Sequence, residues 1–140
     1  MVVQGNSAAG AILKVGDTFL NQNPGSPEHL WVVVAGPTAQ GEFVIFNLTS
    51  WKDGCDQSCP IHKGDHSFVA HDSFIADARG QLLSPVAWQL LQQYGCIMKD
   101  SVSPELLQRI QQGALDSDFT AQKLQSIITD HLSKFLTPLP

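Results

Sequence analysis

The sequence predicts an α+β fold, a curled antiparallel sheet or small barrel over residues 12–80 followed by a helical portion over 84–137. Three observations predict it. Two neighbouring runs, HLWVVVAG (29–36) and EFVIFNLTS (42–50), are rich in β-branched and aromatic residues and are joined by the short PTAQG. Two later segments repeat one punctuation, Ser-Pro at the start and Gly at the end, which is how helices open and close. The 140 residues are one domain's worth, 1–140, enough to bury a core without staples.

Each element follows from its residues. LKVGDTF (13–19) reads as a first short strand, and NQNPGSPE after it as a turn-rich loop. The 29–36 and 42–50 runs form a hairpin, apolar on both faces, so the pair is expected at the centre of the sheet with cover outside. HSFVAHDSFIAD (66–77) offers two further short strands, Ser67–Ala70 and Ser73–Ala76, making four or five before residue 80. SPVAWQLLQQYG (84–95) places Ser84 as N-cap, Pro85 at the first helical position and Gly95 as stop, and SPELLQRIQQG (103–113) repeats the pattern. In TAQKLQSIITDHLSKFL, Leu124, Ile127, Ile128, Leu132 and Phe135 recur at helical spacing, and this face is expected to cover the sheet or a partner subunit. His131 on the same helix is expected at the surface.

Composition narrows the function classes. Hydrophobic residues make up 43% and charged residues 15%, which fits a soluble globular protein, and no apolar run approaches the ~20 residues of a membrane helix. MVVQGNSAAGAILKVGD lacks a basic region before its apolar stretch, so it reads as a leader to the first strand rather than a signal peptide, and a cytoplasmic location is expected. The net charge of −5, with basic residues scattered singly, gives no broad electrostatic capture of nucleic acid; any RNA contact has to be local. GxGxxG, P-loop and GxSxG motifs are absent.

The chemistry-bearing residues concentrate in CDQSCPIHKGDH (55–66), which holds two of the three cysteines and two of the five histidines. Cys55, Cys59, His62 and His66 all carry zinc-competent donors, so a zinc site is one reading. Pro60, Gly54 and Gly64 break any helix there, so the segment is expected as a loop. Three cysteines cannot all pair, and in a reducing compartment they read as thiols or ligands, with an oxidised Cys55–Cys59 pair as the alternative.

The series VGDTF, loop, HLWVVVAGP, GEFVIFNLTS resembles the MazF/PemK toxin family in order and spacing over residues 13–50, with Gly16, Asp17, Thr49 and Ser50 at the matching positions. The resemblance implies an SH3-like barrel with helices, usually a homodimer, that cuts single-stranded RNA and is held by an antitoxin. The family's cleavage Arg, in the loop before the second strand, has no counterpart in NQNPGSPEH. CPIHKGDHSFVAH resembles a branch of PemK-like proteins through Cys59, Lys63, Gly64, Asp65, His66, Phe68 and His71.

A nuclease reading makes His66 and His71 general base and acid, because cleavage through a 2′-hydroxyl removes one proton and returns another. Asp65 or Asp72 would orient one imidazole and Lys63 would offset charge in the transition state. Residues five apart face opposite sides of a regular strand, so that reading needs a bend between the two rings. The bland alternative leaves His62 and His66 on a solvated loop, with His71 capping a strand end. The functional alternative is a non-catalytic barrel binding a peptide or partner protein, stabilised by zinc if the quartet assembles. The negative charge suits that groove better than an RNA channel.

Overall fold

The computed structural model describes residues 6–21 and 29–134. Most of the turn-rich loop expected after the first strand, at 22–28, and the expected end of the third helix, at 135–137, lie outside the described residues. The rest is an α+β fold. Eight strands, β1 Asn6–Ser7, β2 Thr18–Leu20, β3 Leu30–Ala35, β4 Phe43–Ser50, β5 Pro60–Ile61, β6 Ser73–Ile75, β7 Gln81–Leu83 and β8 Ile97–Lys99, form one sheet. The path runs β1-β8-β2-β3-β4-β6-β5, with β7 also on β4, and the pairings are antiparallel.

The long strand β4 carries the curvature. Its first half, Phe43–Ile45, pairs with β7, while its last three residues, Leu48–Ser50, pair with β6. On its other edge the β3 register shifts between Val33 and Ala35, a bulge that bends the hairpin. The path ends on β1 at one side and β5 at the other, so the sheet is curled and open rather than a closed barrel.

The doubly apolar hairpin is central, as its composition requires. Alternate side chains enter two different cores. Val32, Val34, Val44 and Phe46 join one cluster with Leu106, Ile110, Leu124 and Ile128, whereas Val33 and Ile45 join another with Phe19, Leu83 and Cys96. Helix α1 (Pro85–Gln93) covers the second cluster through Ala87, Trp88 and Leu91, and α2 (Pro104–Asp116) with α3 (Gln122–Ser133) covers the first. The result is three layers, helix, sheet and helices. Ser84 and Ser103 cap α1 and α2, accepting from the N–H groups of Ala87 and Leu106 at 3.1 Å.

Several expectations are corrected. Leu13–Phe19 is a strand only from Thr18, because Gly16 takes φ +97° and turns the chain so that its N–H reaches the Val33 carbonyl at 2.8 Å. Ser67–Ala70 is not a strand; Val69 N–H closes a turn on the His66 carbonyl at 3.0 Å. The helical portion contains β8, which pairs with β1 and β2. His131 is buried, and its Nδ1 accepts from the Gly36 N–H at 3.3 Å. Burial and nearby Lys134 push this imidazole below its ordinary value, in keeping with a ring whose Nδ1 serves as an acceptor.

Gly113 does not stop α2, which runs on to Asp116. It is a contact glycine: a Cβ there would stand 2.7 Å from Cys59 Cβ and 2.8 Å from the Ser58 carbonyl oxygen. Alanine gains ~1 kcal/mol of helix propensity at such a position, while overpacking against fixed backbone costs about 1–3 kcal/mol. Gly113→Ala is therefore expected to be net destabilising by up to about 2 kcal/mol, and Gly113→Val by more, measured by denaturant unfolding.

Candidate functional site

The 55–72 segment is a sequence of tight turns, and its polar side chains are mostly spent on holding it. Asp65 accepts from the His62 N–H at 2.8 Å and faces Arg109 Nη2 at 3.4 Å. Burial raises the Asp65 carboxyl, but these two donors outweigh it and hold it below its ordinary value. Arg109 also donates to the Pro60 carbonyl at 2.8 Å, tying α2 to β5.

His66 is the centre of this latch. It is 6% exposed, its Nδ1 accepts from the Phe68 N–H at 3.0 Å, and its Nε2 meets the Asp100 carbonyl. With Nδ1 an acceptor and Nε2 a donor, the ring is a neutral imidazole with both nitrogens used. Asp100 gathers the loop further: its carbonyl accepts from Thr18 Oγ1 at 2.6 Å and its carboxylate from Ser67 Oγ at 2.6 Å. His66 thus fastens the loop to β2 and the segment after β8, and offers no nitrogen to a metal or a substrate proton.

The zinc quartet is not brought together. Among the described residues no group of three or more His, Cys, Asp and Glu is placed to hold a metal ion. Cys59 is 2% exposed against Gly113, and burial pushes its thiol up to about 12. The exposed His62 faces Asp72 through Nδ1 at 3.5 Å, and Cys55 borders a separate cavity. Cys55, Cys59 and Cys96 are all free thiols, so the alternative Cys55–Cys59 bridge is not formed.

His71 has a different setting. Its Nε2 lies 2.8 Å from Ser50 Oγ at the exposed end of β4. Both residues line a cleft of about 420 Å³ with His29, Thr49, Phe68 and Ser73. His29 Nδ1 meets the Leu48 carbonyl at 3.3 Å, which makes it the donor and leaves Nε2 as the basic nitrogen. Two histidines and three hydroxyl-bearing residues therefore line one cleft, whereas Lys63 and Asp65 are not among its walls. No protein-family model matches the chain, and no curated protein matches its sequence.

A second cavity, of about 220 Å³, opens on the other side of Thr49 and holds the residues that sequence reasoning missed. Asp77, 1% exposed, lines it beside Asp56, Phe74, Phe119, Lys52 and Arg79. Neither Asp77 carboxylate oxygen has a donor among the described residues, and Thr49 Oγ1 is likewise buried and unpaired. Burial pushes the Asp77 acid up to about 7, and the negative Asp56 beside it adds to the rise. Asp56 goes the other way: burial raises it, but Ser117 Oγ at 2.6 Å and the Ser58 N–H at 2.9 Å outweigh that and hold it ionised. No spacing rule singles out this pair, because Asp56 lies within the cysteine motif and Asp77 at the end of an apolar run.

Two stability predictions follow from these settings. His66→Ala removes a buried ring with its bonds to the Asp100 carbonyl and the Phe68 N–H and is expected to cost about 2–3 kcal/mol, whereas exposed His62→Ala stays within about 0.5 kcal/mol. A strong chelator should leave the melting temperature of both unchanged. The Asp77 shift has a definite sign. A carboxyl whose pKa is higher in the folded state binds its proton more tightly when folded, so its contribution falls as pH rises from the ordinary value of 3.8 to about 7. Asp77→Asn, which removes that ionisation, is expected to raise the melting temperature by several degrees at pH 8 and to change it little at pH 5, by thermal unfolding at both values.

Proposed function

We propose that the chain is a MazF/PemK-like, toxin-related endoribonuclease that cuts single-stranded RNA, with His71 and His29 as its acid–base pair. One observation carries this reading. Thr49 and Ser50, from the first MazF/PemK-like stretch, and His71, from the second, are far apart in sequence but line the same cleft, with Ser50 and His71 in hydrogen-bond contact. The balance of the step is simple. One imidazole takes the proton of the 2′-hydroxyl, the 2′-oxygen bonds to the adjacent phosphorus, and the P–O5′ bond breaks as the other imidazole protonates the departing oxygen. The products are a 2′,3′-cyclic phosphate and a 5′-hydroxyl.

In this assignment His29 takes the part first expected of His66, whose nitrogens are committed to the loop. Ser50 orients His71, Asp65 serves the loop's architecture, and Lys63 is exposed outside the cleft walls. A second reading, a non-catalytic module binding a partner protein or peptide, has its own support. Val86, Leu90 and Tyr94, at i, i+4 and i+8 along α1 and its cap, are 67%, 48% and 67% exposed and form an apolar stripe that an antitoxin or a second copy would cover. The net charge of −5 is also poorly suited to long-range RNA capture.

Purified protein is expected to cut a single-stranded RNA, leaving cyclic phosphate ends, and to spare the DNA of the same sequence, which lacks the nucleophile. His71→Ala and His29→Ala should each lower the rate by about 100-fold or more without loss of folding, the size expected of one missing general acid or base. Ser50→Ala should cost less. Intact RNA after incubation with the clean protein, or cutting that survives both histidine substitutions, returns the chain to the binding-module reading.

A further inference from the structure

We infer that the cavity lined by Asp56, Asp77, Phe74, Phe119, Lys52 and Arg79 recognises a guanine nucleotide. The inference extends the nuclease reading, in which this base belongs to the RNA strand lying in the neighbouring cleft.

Asp77 is almost fully buried, and neither of its oxygens receives a hydrogen bond among the described residues. Its own proton, directed to Asp56, is what ties the two carboxyls together, and Asp56 is already engaged by Ser58 and Ser117, so ionised Asp77 is left with no donor. Such a group is costly to keep unless something supplies donors. Three chemistries do so or its equivalent: an organic cation, a divalent metal, and a neutral base edge with two adjacent N–H groups.

The walls decide among them. Lys52 and Arg79 line the same cavity, which works against a free cation and favours a ligand that carries phosphate. A metal would find two carboxylates and no third His, Cys, Asp or Glu placed to join them among the described residues. Guanine is neutral and presents N1–H and N2–H side by side, the pair of donors that one carboxylate accepts. Adenine and cytosine put a ring acceptor beside their amino group, and uracil flanks its one N–H with carbonyls, so each sets a lone pair against the carboxylate.

Shape agrees with this choice. The cavity volume of about 220 Å³ admits one flat heterocycle and little more. Phe119, 64% exposed at its rim, gains cover by stacking on a base, and Phe74 is held from behind by the edge of Trp51, with ring centroids 6.4 Å apart. Thr49 lines both this cavity and the His71 cleft, so the two adjoin at the end of β4.

The test is calorimetric titration of the full chain, at pH 8 where Asp77 is ionised, with guanosine, adenosine, cytidine and uridine 5′-monophosphates. The guanine nucleotide is expected to bind at least tenfold more tightly than the other three. Asp77→Asn should remove that preference, and Phe119→Ala, a change at an exposed ring that leaves folding intact, should weaken binding severalfold. Equal affinities, no guanine binding up to millimolar ligand, or a preference that survives Asp77→Asn overturns the inference. So does manganese binding that is lost in Asp77→Asn, which would give the pair to a metal. Mononucleotides have no internucleotide bond to cut, so the two readings fail separately. Guanine binding by a chain that leaves RNA intact sinks only the nuclease, and His71-dependent cutting without guanine binding sinks only this site.

Discussion

Everything in this fold hangs on a hairpin that has no wet face. β3 and β4 bury Val32, Val33, Val34, Val44 and Phe46 completely, so both sides of the sheet have to be covered before either strand is stable. At roughly 25 cal/mol per Å² of apolar surface, each of these side chains is worth about 1.5–3 kcal/mol when covered, which makes cover from both sides a requirement of stability. The chain meets it asymmetrically. One short helix, α1, closes the Phe19 side, while α2 and α3 together close the Phe46 side. The aromatic pair Phe19–Trp88, with ring centroids 5.2 Å apart, joins β2 to α1 across the first of these interfaces.

The second constraint is the Asp100 carbonyl. It receives Thr18 from β2 and His66 from the loop, so one backbone oxygen at the end of β8 aligns a segment that is 34 residues away from it in sequence. In the turn-rich stretch between β5 and β6, Val69 is the one apolar side chain that enters the core, and polar contacts do the rest of the anchoring. His66, Asp65 with Arg109, and Ser67 are used up in this way. His71 lies past the last of these contacts, and that is why its ring remains at a cleft rather than in the latch.

The fold was legible where hydrophobic pattern and capping chemistry agree. The hairpin, its central place, both Ser-Pro helix starts and the Leu124–Ile128 face of α3 are all visible in the letters, because each is a local signal reinforced by burial. β8 was hidden: Ile97–Lys99 is three residues between two helices, and only its partners β1 and β2 make it a strand. Gly113 was misread because a glycine at a close contact and a glycine at a helix end look the same in sequence. Of the residues the sequence singled out, His71, Thr49 and Ser50 line one cleft, whereas Cys55, Cys59, His62 and His66 are not brought together. But a histidine's role depends on what its two nitrogens meet, and His66 meets two backbone groups that no spacing rule reveals. The Asp56–Asp77 pair was illegible for the same reason, since its properties come from burial and proximity rather than from motif.

Chemistry gathers at one end of β4 for a structural reason. Along Val44–Asn47 the strand is buried on both faces, and no polar group there could reach a ligand. From Leu48 onward it changes partner from β7 to β6, its exposure rises, and the apolar alternation gives way to Thr49 and Ser50. Successive side chains on a strand point to opposite faces, so the two hydroxyls leave the sheet on different sides. Ser50 goes to His71, and Thr49, with its hydroxyl unpaired, lies in the wall between the imidazole cleft and the carboxylate cavity. The strand end is therefore where the covering helices and the apolar pattern both give out. It is the one stretch of the central hairpin where buried backbone still fixes the geometry while solvent, and any ligand, can enter from either face.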